Sequence, residues 1–185
     1  MIIQASRSVL LLIDLQSKLV PAVADAELCI NRCKMLLTAA RTLDVPIRAS
    51  EHCSGSIGGT VPDLGDRLLP DEILAKKHFD GSAEAAFMEN IDALGRSTII
   101  VGGTEAHVCV IQTVLGLKSK GYEPVLVADA TASRDNASRD LAIDRMRHHG
   151  IDIVSSEMVI FEWLNVAGTP AFKKLLPMIK SGRAD

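Results

Sequence analysis

The feature that most constrains this chain is a set of short runs that are apolar at nearly every position, each followed by a stretch with helical periodicity. Residues 9–14 (VLLLID), 97–103 (STIIVGG) and 125–129 (VLVAD) are the clearest of them. A half-exposed strand alternates apolar and polar residues. A strand that is apolar throughout needs cover on both faces, as in a parallel sheet between two helix layers. Residues 27–43 carry a 3.6-residue stripe, Cys29, Cys33, Leu36, Ala40 and Leu43. Further strands are predicted over 45–50 (VPIRAS), 73–76 (ILAK) and 151–155. Further helices are predicted over 82–94, 108–120, 136–149 and 172–180, with Gly121 and Gly150 placed as C-terminal caps. The glycine-rich stretch 51–69 is too long and too polar for a tight connector, and long ordered loops often serve sites. The chain shows no internal repeat, linker or low-complexity segment. Residues 1–185 therefore read as one α/β domain, three layers α/β/α, with a mostly parallel, doubly wound central sheet.

Composition removes several function classes. The net charge is −3, Lys and Arg are scattered, and aromatic residues are 3% of the chain. A nucleic-acid surface needs a basic patch and stacking platforms, so no nucleic-acid partner is expected. No apolar run approaches the roughly 18 residues of a spanning helix, so no membrane partner is expected. The N-terminus enters a strand without a basic stretch, an apolar signal core and a cleavage site, which points to the cytoplasm. In that compartment the four cysteines, Cys29, Cys33, Cys53 and Cys109, are read as free thiols. Cys29 and Cys33 lie one helical turn apart on the apolar stripe, with no second ligand pair at zinc-site spacing, and read as core.

In open α/β sheets the ligand sits beyond the carboxyl ends of the strands. Asp14 and Lys76 close predicted strands, and Cys109 lies where a strand gives way to a helix. Each has a plain structural reading: a turn cap, a solvated lysine, a core thiol. Their shared placement at strand ends is what chemistry needs and folding does not. A thiolate is the reactive form of cysteine, and a helix start together with a nearby ammonium is expected to lower the Cys109 pKa below about 8.5. Asp14 is placed to take the thiol proton and return it to a leaving group, and to pair with Lys76. The Cys109 backbone N–H and a second from the preceding Gly-Gly-Thr-Glu turn are candidate oxyanion donors. Glu51 and His52, just past the second predicted strand, are candidate pocket residues. His107, two residues before the cysteine, reads as pocket-lining or hydrogen-bonding rather than as the base. Phe161 and Trp163 fit either a subunit interface or the core.

Four segments carry a resemblance. LLLIDLQ (10–16) holds Asp14 and, two residues on, Gln16. LAKKHF (74–79) holds Lys76 with Phe79 three residues later. GGTEAHVCVIQT (102–113) surrounds Cys109, and VLVADATASR (125–134) follows it. On these segments nearly the whole chain resembles the isochorismatase-like cysteine hydrolases, relatives of nicotinamidases and of N-carbamoylsarcosine amidohydrolase. The resemblance implies that Cys109 is the nucleophile, Asp14 the acid/base and Lys76 the electrostatic partner. It places Gln16 and Phe79 beside the pocket. It also implies a cis peptide between Thr104 and Glu105, setting the Glu105 N–H beside that of Cys109 as an oxyanion donor, and it implies a homo-oligomer. Nicotinamidases carry an Asp-x-His…His metal cluster after the second strand. The corresponding stretch here, SEHCSGSIGGTVPDL, holds one His, so no metal and no other cofactor are expected.

The resulting expectation is a small-molecule hydrolase that cleaves an amide-like C–N bond through a covalent thioester. Its alternative is a non-catalytic binding or assembly protein that retains the fold. A nucleotide-binding domain would need a glycine-rich turn after the first strand, and LQSKLVPA, which follows Asp14, has no glycine.

Overall fold

The computed structural model describes residues 2–184. Six strands, β1 (Ser8–Ile13), β2 (Ile47–His52), β3 (Ile73–Lys76), β4 (Thr98–Thr104), β5 (Glu123–Ala132) and β6 (Asp152–Val154), form one sheet in the order β3-β2-β1-β4-β5-β6. Every neighbouring pair is parallel. Among the described residues eight α-helices connect and flank them: α1 (Ala26–Thr42), α2 (Ser54–Ile57), α3 (Pro62–Gly65), α4 (Ala85–Asp92), α5 (Ile111–Ser119), α6 (Asn136–His148), α7 (Ser156–Leu164) and α8 (Pro170–Ser181).

The apolar strands are covered on both faces, as their composition requires. Leu10 and Leu12 of β1 pack with Ile47, Ile100 and Val127 against α1, α7 and α8. Val9, Leu11 and Ile13 point the other way, with Ile99, Val101 and Leu126, against Phe87 and Ile91 of α4 and against α5 and α6. Each such fully buried side chain contributes about 1.5–3 kcal/mol of transfer free energy. Trp163 belongs to the first of these layers. It is buried, and its indole N–H donates to Ser8 Oγ at 3.0 Å, so it is a core residue and not part of an interface, whereas Phe161 is exposed.

Several boundaries differ from those read in the sequence. The second strand runs through His52, so Glu51 and His52 form the carboxyl end of β2 and pair with Ala75 and Lys76 of β3. β5 continues through Thr131 and Ala132 to meet Gly103 and Thr104, after a register shift between Val101 and Gly103. Helix α7 was not expected. Ser155 caps it by accepting from the Met158 N–H. The glycine-rich stretch is ordered into α2 and α3 and folded back by an antiparallel bridge between Gln16 and Thr60.

The chain winds outward from β1 through β2 to β3, then returns to the centre with β4 and winds the other way. Beyond the carboxyl ends of β1 and β4 lies the crevice where such sheets bind ligands. Gly103 is what lets these two ends meet. Its φ is +126°, and a side chain there would collide with the carbonyl oxygen of Ile13.

Candidate active site

Asp14 leaves β1 in the left-handed region, with φ +48°, which swings it out of the strand direction. Its backbone is held from two sides. Its N–H donates to the Ser50 carbonyl at 3.1 Å, and its own carbonyl accepts from Thr104 Oγ1 at 2.7 Å. Its carboxylate is fully buried, with Oδ1 accepting from Ser50 Oγ at 2.6 Å. Oδ2 lies 2.7 Å from Lys76 Nζ, and both side chains of this ion pair are 0% exposed.

Lys76 comes from the last residue of β3 and reaches past β2 to Asp14. Its ammonium also donates to the carbonyls of His78 (3.2 Å) and Phe79 (3.5 Å). That turn is pinned to α5 by Thr113, whose hydroxyl accepts from the Gly81 N–H at 2.9 Å and donates to the Phe79 carbonyl at 3.3 Å. A lone buried ammonium is costly, and here the carboxylate and two carbonyls compensate it.

Cys109 sits in a π-helical turn, Ala106–Val110, that leads from β4 into α5, and it is 5% exposed. Such turns often mark functional sites. Burial pushes its thiol pKa up to about 12, helped by the nearby Asp14 carboxylate; Lys76 acts in the opposite direction. The expected lowering at the helix start is therefore corrected. The thiol is enclosed by the core and faces a carboxylate, so desolvation and like-charge repulsion outweigh the helix start and the ammonium. The resting form of Cys109 is the thiol.

The peptide bond between Thr104 and Glu105 is cis. The Glu105 side chain turns to Arg134, accepting from its backbone N–H (3.0 Å), Nε (3.1 Å) and Nη2 (2.7 Å), and this hydrogen bonding to Arg134 holds its carboxyl below the usual range. His107 Nδ1 lies 3.0 Å from Ser133 Oγ. The turn carrying Cys109 is thus tied at two points, Glu105 and His107, to the segment that follows β5.

The candidate pocket residues divide. His52 and Phe79 stack with ring centroids 5.2 Å apart, and Phe79 is half exposed, so together they form a wall beside Lys76. Gln16 is buried with its amide committed. Nε2 donates to the carbonyls of His52 and Gly58, and Oε1 accepts from the His52 N–H. Glu51 accepts from the N–H and hydroxyl of Thr60. Both residues hold the 53–69 segment against β2, and neither presents a free polar group to a ligand through these atoms. Among the described residues no cluster of three or more His, Cys, Asp or Glu is arranged to hold a metal ion. A surface groove of about 820 Å³ is lined by Asp25, Asn31, Lys34 and Arg183 among others, and none of the three candidate catalytic residues lines it.

The Isochorismatase domain model matches residues 8–158. The chain belongs to the isochorismatase family. Isochorismatase domain-containing protein 2A of Mus musculus is 34% identical over 176 residues, covering 94% of this chain and 82% of that protein. Among solved structures, the MAR1 ribonuclease of Caenorhabditis elegans superposes with a TM-score of 0.91 at 29% identity, over 99% of this chain and 94% of that one. The YcaC gene product of Escherichia coli, described as an octameric hydrolase of unknown specificity, superposes with a TM-score of 0.86 at 19% identity, over 97% and 93%. Family membership accounts for the sheet order. Among the described residues no helix of this isochorismatase-family chain is long and apolar enough to cross a membrane.

Four residues around the site were not read from the sequence. Ser50, Thr104, Thr113 and Arg134 all act on it through hydrogen bonds. Only strand register brings Ser50 opposite Ile13 and hence beside Asp14. No pattern in the sequence encodes that pairing.

Proposed function

We propose that this chain is a metal-independent hydrolase of small amide-like molecules, with Cys109 as nucleophile, Asp14 as acid/base and Lys76 as its electrostatic partner. The observation that carries the reading is the fully buried Asp14–Lys76 pair at 2.7 Å, acting directly on the thiol of Cys109. Hydrophobic residues of similar volume in place of a buried ion pair are often neutral or stabilising. Chemistry accounts for such a pair better than the alternative of a non-catalytic assembly protein does.

The thiol is protonated at rest, so attack is coupled to proton transfer. The sulfur bonds to the substrate carbonyl carbon as its proton passes to Asp14, and the carbonyl π pair moves onto oxygen. Lys76, relieved of the carboxylate charge, faces the developing charge on sulfur and on the adduct. The oxyanion is received by the backbone N–H groups of Glu105 and Cys109. Asp14 then protonates the departing amine as the C–N bond breaks, leaving a thioester. Water attacks the thioester while giving its proton to Asp14. Collapse of that adduct releases the carboxylic acid, and the proton returns to sulfur. Atoms and charges balance without a cofactor.

A site in which the nucleophile is 5% exposed suits a small substrate. The excess of acidic over basic residues weighs against an RNA substrate despite the name of the nematode relative. We also place the chain in a homo-oligomer, consistent with the octamer described for YcaC. The test is release of amine from a panel of small carboxamides and carbamoyl compounds by the intact chain and by Cys109→Ala. Turnover by wild type that the variant lacks supports the reading. Equal turnover by both sinks it.

A further inference from the structure

The geometry points to Ser50 as a positioning residue that reserves one oxygen of Asp14 for the proton. This inference rests on the reading of Asp14 as the acid/base. A carboxylate offers two oxygens, and a base that exchanges a proton with a fixed thiol works best if one oxygen faces that thiol and the other is occupied. Here Oδ1 accepts the Ser50 hydroxyl at 2.6 Å. Ser50 is 1% exposed and Asp14 0%, so bulk water does not compete for that bond. A serine hydroxyl has a single proton to donate, and this one is spent on Oδ1. Oδ2 stands against Lys76 Nζ and has no hydrogen-bond donor in good geometry among the described residues. Of the two oxygens Oδ2 is the one that no hydroxyl occupies, and it is assigned to receive the thiol proton.

The arrangement is built by the sheet. Ser50 lies opposite Ile13 in the β1–β2 register, and its carbonyl accepts the Asp14 N–H, so backbone pairing fixes where the hydroxyl sits relative to the carboxylate. The charged and titratable groups acting on Asp14 are Lys76 from β3 and Cys109 from the turn before α5. The neighbouring Glu105 is committed to Arg134, and His107 to Ser133. The Ser50 hydroxyl thus orients the carboxylate and gives it a charge-assisted hydrogen bond.

The experiment follows the rate at which acrylamide, a small electrophilic amide, labels Cys109, read by mass spectrometry on its peptide. It is run from mildly acid to alkaline pH on the full chain and on Ser50→Ala, Ser50→Thr and Asp14→Asn. Wild type should show an acid limb, where protonated Asp14 no longer accepts the thiol proton. In Ser50→Ala the limb should move up by about one to two pH units, the loss of a charge-assisted hydrogen bond. Ser50→Thr, which keeps the hydroxyl, should restore it. The position of the limb does not depend on how much protein is folded, so a packing defect alone does not mimic the shift. A Ser50→Ala limb that coincides with wild type, while Asp14→Asn loses that acid limb and keeps only the alkaline rise of thiol ionisation, overturns the role of Ser50 and leaves Asp14 as the base. An acid limb that stays at its wild-type position in Asp14→Asn, rather than giving way to the alkaline rise of simple thiol ionisation, overturns the reading of Asp14, and the role of Ser50 falls with it.

Discussion

Replacing Asp14 by Asn should make the Cys109 thiol more acidic and the enzyme slower at the same time. The thiol is held up at about 12 by burial and by the Asp14 charge, against Lys76. At neutral pH that leaves about one thiolate in 10⁵, against a few per cent for an unperturbed thiol. Asn keeps the volume and an acceptor for the Ser50 hydroxyl, but removes the negative charge and frees the ammonium to act on sulfur. Both changes favour the thiolate, and the pKa should fall by about one to three units, the usual effect of a close charge. Turnover should nevertheless drop about 10²–10⁴-fold, because the acid/base that protonates the leaving amine is gone. The thiolate is read by its ultraviolet absorbance during a pH titration, as the difference between each protein and its Cys109→Ala counterpart. Turnover is read on whichever amide the panel identifies. A thiol pKa that stays put or rises in Asp14→Asn, or turnover that rises with the thiolate fraction, would refute the coupling of Cys109 to Asp14.

Other expectations follow from the same geometry. Lys76→Met should raise the Cys109 pKa further, and it should destabilise the chain by about 3–5 kcal/mol, since it strands a buried carboxylate; denaturant unfolding measures the second effect. Cys109 keeps its proton in the fold beyond the ordinary value of 9.0, so the stability it contributes is whole below pH 9.0 and is lost as pH rises towards about 12. The alkaline fall in stability should therefore be shallower in Cys109→Ala. Trp163→Phe, which removes the indole bond to Ser8, should cost about 1–2 kcal/mol and leave Cys109 labelling unchanged, because it lies at the far end of β1 from the site. A chelator should not alter turnover, and loss of activity restored by zinc would contradict the metal-free mechanism.

The sequence was most legible where one residue's chemistry and its strand coincided. ILAK ends at Lys76 in both reading and structure, and the apolar run of β1 stops one residue before Asp14. Legibility failed where the outcome depended on a partner strand or on solvation. Thr131 and Ala132, at the end of β5, read as the start of the polar turn TASRDN, yet they stay extended because they pair with Gly103 and Thr104. MVIFEWL of α7 is apolar almost all round and rich in strand-favouring residues, so it carries a weak helical period, and packing on the sheet decides it. Glu51, a pocket candidate from its place past the second strand, and Gln16, placed beside the pocket by the resemblance, use their polar atoms to fasten the 53–69 segment. The thiol of Cys109 was misjudged for a related reason. A helix start favours a thiolate only when little else acts on it, and here burial and a neighbouring carboxylate dominate.

The most direct measurement is a competition between cysteines within one molecule. Cys53 is exposed, whereas Cys109 is buried and protonated at rest. Wild-type protein is treated briefly with limiting acrylamide at neutral pH, and label is counted on each cysteine peptide. An assembled site, in which Asp14 takes the proton as sulfur attacks, predicts that Cys109 is labelled ahead of Cys53 despite its burial. Label on Cys53 with Cys109 untouched would mean that Cys109 is an inert core thiol, and the nucleophile assignment would be wrong.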